Sequence, residues 1–215
     1  MFRIPAVTGW LIAVNVLIHA ARWLAVRYGL LSPREDDAIV DALGFRPDSL
    51  QGRIDGMTIL SLFTYQFLHG GWDHLAANMT TLLALGPGVE RPVGRGRFLL
   101  LYFICGIAGA LVESVFTPAG KEDLLIGASA SISGVFGAVM VIWVFHRRPR
   151  RPLRIIGMVL LWSVFLAITG SLGVGAEGAP VAWIAHIGGF LAGIALGALF
   201  RRYPAMPDGG FTPRS

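Results

Sequence analysis

Six stretches of this chain are long and apolar enough, or nearly so, to cross the hydrocarbon core of a bilayer. No other feature limits the fold as strongly. A crossing helix needs about 20 mostly apolar residues. The stretches are 7–26, 70–89, 98–116, 124–145, 155–174 and 179–200. Two carry polar residues: Asn15, His19 and Arg22 in the first, and Asp73, His74 and Asn78 early in the second. Arg22 is expected to snorkel to the outer interface. Composition agrees with lipid as the main solvent. The chain is 54% hydrophobic and 14% charged, against about 25% charged in soluble domains. The expectation is an all-α, polytopic membrane protein: one domain over 1–203, with a Pro- and Gly-rich disordered cytoplasmic tail over 204–215. The first apolar stretch continues past Arg22 to Val26, longer than the core of a cleaved signal peptide, so a retained helix is expected. The single cysteine, Cys105, can form no intrachain disulfide and is read as a packing residue.

Charge placement sets the orientation. With the N-terminus cytoplasmic, the inner flanks hold Arg3; Arg91, Arg95 and Arg97; Arg147, Arg148, Arg150, Arg151 and Arg154; and Arg201, Arg202 and Arg214. That obeys the positive-inside rule and leaves both termini cytoplasmic. The cluster over 147–154 then serves topology and contact with anionic lipid. The formal charge of +5 raises nucleic-acid binding as a first idea, but the arginines sit at the ends of apolar runs, so the expected partner is the lipid bilayer and no nucleic acid. Segment 29–68 is long for a plain connection. Its pattern (Ala38-Ile39-Val40, Leu43, Phe45, Met57-Thr58-Ile59-Leu60) predicts a long outer loop with short helices lying at the outer interface.

Polar side chains inside spans are costly and face the bundle interior. Three groups stand out: His74 with Asn78, Ser129, and His186. They lie near the starts of the second, fourth and sixth spans, all of which run from outside to inside. At about 1.5 Å per helical residue, Ser129 lies roughly 9 Å inward of Asp123, and His186 reaches a similar depth. His74 and Asn78 share one helix face. Gly134 and Gly137 follow Ser129, and Ala185, Gly189, Gly193 and Gly197 put a small residue at every fourth position around His186. Such a stripe lets two helix backbones approach closely in lipid, bringing hydroxyl and imidazole within reach.

These segments carry a resemblance. Gly127-Ala128-Ser129-Ala130-Ser131-Ile132-Ser133-Gly134 resembles the active-site segment of the rhomboid family of intramembrane proteases. Ala185-His186-Ile187-Gly188-Gly189 resembles its histidine motif, and His74-Leu75-Ala76-Ala77-Asn78 its His-x-x-x-Asn element. Gly86-Pro87-Gly88-Val89-Glu90, with Gly94 and Arg97-Phe98, resembles the turn after its second helix. The resemblance runs from about Thr64 to Phe200. It departs in two places: Ala130 stands where a second Gly is usual, and Leu60-Ser61 where a Trp-Arg pair is common.

The chemistry expected is acyl transfer by a serine hydrolase. A hydroxyl needs a base to take its proton, and His186 is the natural base for Ser129. No acid is seen at the matching depth, since Glu177 lies nine residues before His186, so a Ser-His dyad is expected. Oxyanion donors are the Ser129 N–H, Asn78 and His74, a role the resemblance implies for the last two. The resemblance also implies a structural hydrogen-bonding role for Glu90. Gly127, Gly134 and Gly189 shape the site. Ser131 and Ser133 are rival nucleophiles that the motif register disfavours. His69 is placed at the pocket rim, and His19 and His146 at interfaces. A metal on His74 and His186 lacks a third ligand, so no metal and no cofactor is expected. Substrates would be transmembrane segments of other proteins, with helix-weakening residues near the outer face. Entry past the fifth helix, capped by residues 171–179, is a further expectation. Two other classes compete: an inactive rhomboid-like protein that binds membrane clients, and a small transporter, for which no inverted repeat is visible. The Arg-rich, Lys-poor composition points to a bacterial plasma membrane.

Overall fold

The structure is a computed structural model and describes residues 4–52, 54–121, 123–146, 157 and 183–202. Seven α-helices follow one another among these residues: α1 (Ala6–Arg27), α2 (Pro33–Leu43), α3 (Gly56–Thr64), α4 (Trp72–Val93), α5 (Arg95–Phe116), α6 (Ser129–His146) and α7 (Trp183–Arg202). Short 3-10 turns at Pro47–Gln51 and Tyr65–Phe67 flank α3. No strand occurs among the described residues; a lone antiparallel bridge joins Phe45 and Leu125. Ala6–Arg27, Arg95–Phe116 and Trp183–Phe200 are long and apolar enough to cross a membrane, and Ser129–Ile142 forms a shorter apolar helix. The expected fifth span over 155–174, the basic cluster over 147–154, the cap over 171–179 and the tail lie outside the described residues.

The segment between α1 and α4 is built from short helices, each with a local cause. In α2, Ser32 and Glu35 form a capping box around Pro33, satisfying N–H groups the helix start leaves open. In α3, the Asp55 carboxylate accepts from Thr58 N–H at 2.8 Å. Hydrogen bonding from Ser32 holds the Glu35 carboxyl below its usual range.

Helix α4 is fixed to α1 from beneath. Glu90 is buried, and its carboxylate accepts from the Val7 and Thr8 N–H groups at 2.9 and 2.7 Å and from Thr8 Oγ1 at 2.7 Å. A carboxylate at a helix N-terminus meets open donors and the positive end of the dipole. The structural role expected for Glu90 thus takes a definite form.

Helices α6 and α7 meet along small residues. A Cβ on Gly189 would collide with the Ala130 carbonyl, one on Gly193 with the Gly134 carbonyl, and one on Gly197 would come 2.9 Å from Ala138 Cα. The every-fourth-residue stripe of α7 therefore faces Ala130, Gly134 and Ala138 on α6. Cys105 of α5 packs into the same gap at Gly134, where a Cβ would also lie 2.8 Å from the Gly189 carbonyl, as expected of a small packing residue. The main core gathers Leu75, Met79 and Leu82 of α4, Phe98, Leu101 and Tyr102 of α5, and Ile132, Val135 and Val139 of α6.

One boundary needs correction. The fourth apolar stretch was expected to be helical from residue 124, but α6 begins at Ser129. The residues before it pair with distant chain instead. Leu125 N–H donates to Phe45 O at 2.8 Å, Phe45 N–H donates back to Leu125 O at 3.0 Å, and Gly127 N–H donates to Tyr65 O at 2.9 Å. Gly127 adopts a φ of 112°, a region that L side chains rarely enter. The 9 Å depth for Ser129 assumed a helical approach and does not hold for this extended one.

Candidate functional site

Ser129 opens α6, where N–H groups lack intrahelical acceptors. The half-buried Ser129 is thus presented by a taut approach, tied to Phe45 and Tyr65, that turns into a helix. Gly127 sits under the polar pair on α4. A Cβ there would lie 2.8 Å from His74 Cε1 and Nε2 and 3.6 Å from Asn78 Nδ2. Position 127 therefore requires glycine twice, for its φ and for its space.

Asn78 is buried, and its Nδ2 has no hydrogen-bond partner; His74 Nδ1 is likewise buried and unpartnered. Buried polar atoms are nearly always paired; of these two, Asn78 Nδ2 is the one that lies beside Gly127 and so has a hydrogen to offer near the start of α6. His186 on α7 is buried, its Nδ1 without a partner. His74 is its electrostatic neighbour. The residues next to Ser129 and His186 meet closely, because Ala130 and Ala185 both pack over Gly109 of α5. A Cβ on Gly109 would lie 2.8 Å from Ala130 Cβ and 2.6 Å from Ala185 O. The missing side chain at 109 makes room for the methyl group of Ala130, the residue standing at the usual glycine position. Among the described residues, no hydrogen bond joins Ser129 to His186. Unliganded sites often hold such pairs apart until substrate binds.

Other candidates sort themselves. Ser131 Oγ donates to Gln66 Oε1 at 2.8 Å in a fully buried setting, which occupies that rival hydroxyl. Ser133 Oγ is buried without a partner. His69, placed at the rim by sequence, is buried, its ring 5.0 Å from that of His74. Burial pushes the His69 imidazole down to about 3, with repulsion from His74 next in size. His19, expected at an interface, is buried, edge-on to Trp72 at 4.7 Å. Arg22 does not simply snorkel. Its guanidinium donates to both Asp36 oxygens at 2.8 Å and to His69 O at 3.4 Å, tying α2 and the His69 turn to α1. The side chain of His146 lies outside the described residues. No group of three or more His, Cys, Asp or Glu able to hold a metal occurs among them.

Sequence reasoning missed Glu113. Its carboxylate accepts from Ala185 N–H at 2.7 Å, so an acid does stand beside the histidine helix, against expectation. It engages backbone, not the imidazole, so it does not complete a triad. The signal was present: a lone acid near the end of an apolar span is costly and needs a reason.

Fold and site together define an integral membrane protein, all-helical among its described residues, with a serine that opens a helix two residues after a glycine packed against His74 and Asn78. The Rhomboid domain model matches residues 57–203, and the chain belongs to the rhomboid family. It is 29% identical to RHOMBOID-like protein 4 of Arabidopsis thaliana over 87% of this chain and 52% of that protein. It is 36% identical to Rhomboid protease GluP of Bacillus subtilis (strain 168) over 61% of this chain and 24% of that protein. RHOMBOID-like protein 5 of Arabidopsis thaliana is also 36% identical, over 61% of this chain and 40% of that protein. The chain thus spans about half or less of the length of these relatives.

Proposed function

We propose that this protein is an intramembrane serine endopeptidase that cleaves transmembrane segments of other proteins near the outer face of the membrane. In this reading Ser129 is the nucleophile and His186 the base that takes its proton and later returns it to the leaving amine. The Ser129 N–H, Asn78 and His74 stabilise the oxyanion. Six spans, both termini cytoplasmic, a single membrane domain over 1–203 and a bacterial plasma membrane complete the proposal. So does entry past the fifth helix, and no cofactor is required.

The observation that carries the reading is the unpartnered Asn78 Nδ2, buried with His74 beside Gly127, two residues before Ser129. A donor buried without an acceptor costs free energy, and the substrate carbonyl oxygen, made an oxyanion when Ser129 attacks the carbonyl carbon, gives it one. Family membership adds support, since GluP, similar over part of this chain, is named a protease.

Reconstitution with a generic transmembrane substrate tests the reading. Product is expected with the wild type and none with Ser129→Ala. Absence of product from both, with the substrate still bound, favours the inactive client-binding alternative.

A further inference from the structure

Glu113 lies on the last turn of α5, one helical turn beyond Gly109. That face of α5 cradles the start of the histidine helix. Gly109 fits under the Ala185 carbonyl, and Ala108 and Val112 crowd Gly188: a Cβ on Gly188 would lie 2.9 Å from Ala108 O and 2.8 Å from Val112 Cβ. At the end of this cradle the half-buried Glu113 accepts from Ala185 N–H at 2.7 Å. Ala185 is buried and immediately precedes His186. The bond sets a carboxylate against the first described turn of α7, on the N–H of the residue that precedes His186. Packing of small residues sets how closely α7 approaches α5 and α6. A directional bond at one end fixes its register.

We propose that Glu113 is a positioning residue for His186: it pins the Ala185 N–H and so sets the rotation of the first turn of α7 that aims the imidazole at Ser129. The inference rests on the protease reading. The carboxylate touches neither substrate nor imidazole, and its effect passes through backbone. An error of about 1 Å in a catalytic group costs on the order of 100-fold in rate.

The test is steady-state cleavage of a transmembrane substrate in proteoliposomes by wild type, Glu113→Ala, Glu113→Gln and the Ser129→Ala control. Amide hydrogen exchange at Ala185 is followed alongside. Glu113→Ala is expected to lose about 10- to 100-fold in kcat, with KM within about twofold and faster exchange at Ala185. Glu113→Gln keeps an acceptor oxygen and is expected to recover most of kcat and the slow exchange. If Glu113→Ala does not fold, Glu113→Asp, whose shorter reach strains the same bond, is expected to fold and show the same kcat loss. Wild-type kcat in Glu113→Ala or, should that variant not fold, in Glu113→Asp overturns the inference. So do a rise in KM alone and equal losses in Glu113→Ala and Glu113→Gln, and each leaves the protease reading standing. A wild type that cleaves nothing overturns that reading and, with it, this inference.

Discussion

The two sides of the site are built on opposite terms. On the α6–α7 side, Ala130, Gly134 and Ala138 meet Gly189, Gly193 and Gly197, and helix backbones touch. In lipid no hydrophobic force drives helices together, so close packing must supply the attraction. On the α4 side, His69, His74 and Asn78 leave buried nitrogens without partners. That side is held from outside by Arg22, Asp36 and the Leu125–Phe45 bridge. One side spends its small residues on rigidity. The other keeps polar capacity in reserve at a cost in stability. On the proposed reading the site stabilises a transient charge, and such a site needs both: a fixed frame, and donors not already committed.

Substitutions should therefore separate stability from activity according to side. The largest stability effect is expected at the seam. Gly193→Val forces a side chain into the Gly134 carbonyl, and overpacking of this kind costs about 1–3 kcal/mol or more. Thermal unfolding in detergent checks it, and an unchanged midpoint would break the contrast. On the polar side, Asn78→Ala should lower kcat by about 100- to 1000-fold, as loss of an oxyanion donor does, while leaving the unfolding midpoint nearly unchanged. A large fall in stability instead would make Asn78 part of the frame.

Smaller effects sharpen the picture. The Arg22–Asp36 pair is mostly sheltered, with side-chain exposures of 16% and 20%. A double-mutant cycle with Arg22→Ala and Asp36→Ala should give a coupling of about 1 kcal/mol. Zero coupling would remove this pair from the account of what holds the α4 side. The smallest effect near neutrality concerns His69. Folding holds its imidazole neutral down to about 3, whereas an unfolded histidine titrates near 6.5. Between these values the unfolded chain binds more protons, so stability falls as pH drops below about 6.5. His69→Phe should flatten that slope between about pH 6.5 and 5.

Much of the seam was legible in sequence because it is periodic and local. A small residue at every fourth position already names the face of α7 that approaches a neighbour. His74 and Asn78 stood out as polar residues near the start of an apolar stretch, whereas Gly127 was named only by its motif, and its place against them shows only in the structure. The true start of α6 was not legible. Residues 124–128 look like helix by hydropathy, and only pairing with Phe45 and Tyr65, far off in sequence, draws them into extended backbone. The burial of His19 was not legible for a related reason: nothing local shows that Trp72 will cover it. Glu113 is different, because an acid at the end of an apolar span carries its own flag. Its partner, a backbone N–H, leaves no trace in sequence.

The central claim is that the hydroxyl of Ser129 is an activated nucleophile served by His186. A fluorophosphonate probe, with the adduct located by mass spectrometry, tests it most directly. The account predicts modification of Ser129 in the wild type, none in Ser129→Ala, and a loss of labelling in His186→Ala even though its serine is intact. Labelling that leaves Ser129 untouched, or that persists at the same rate without the imidazole, would contradict it.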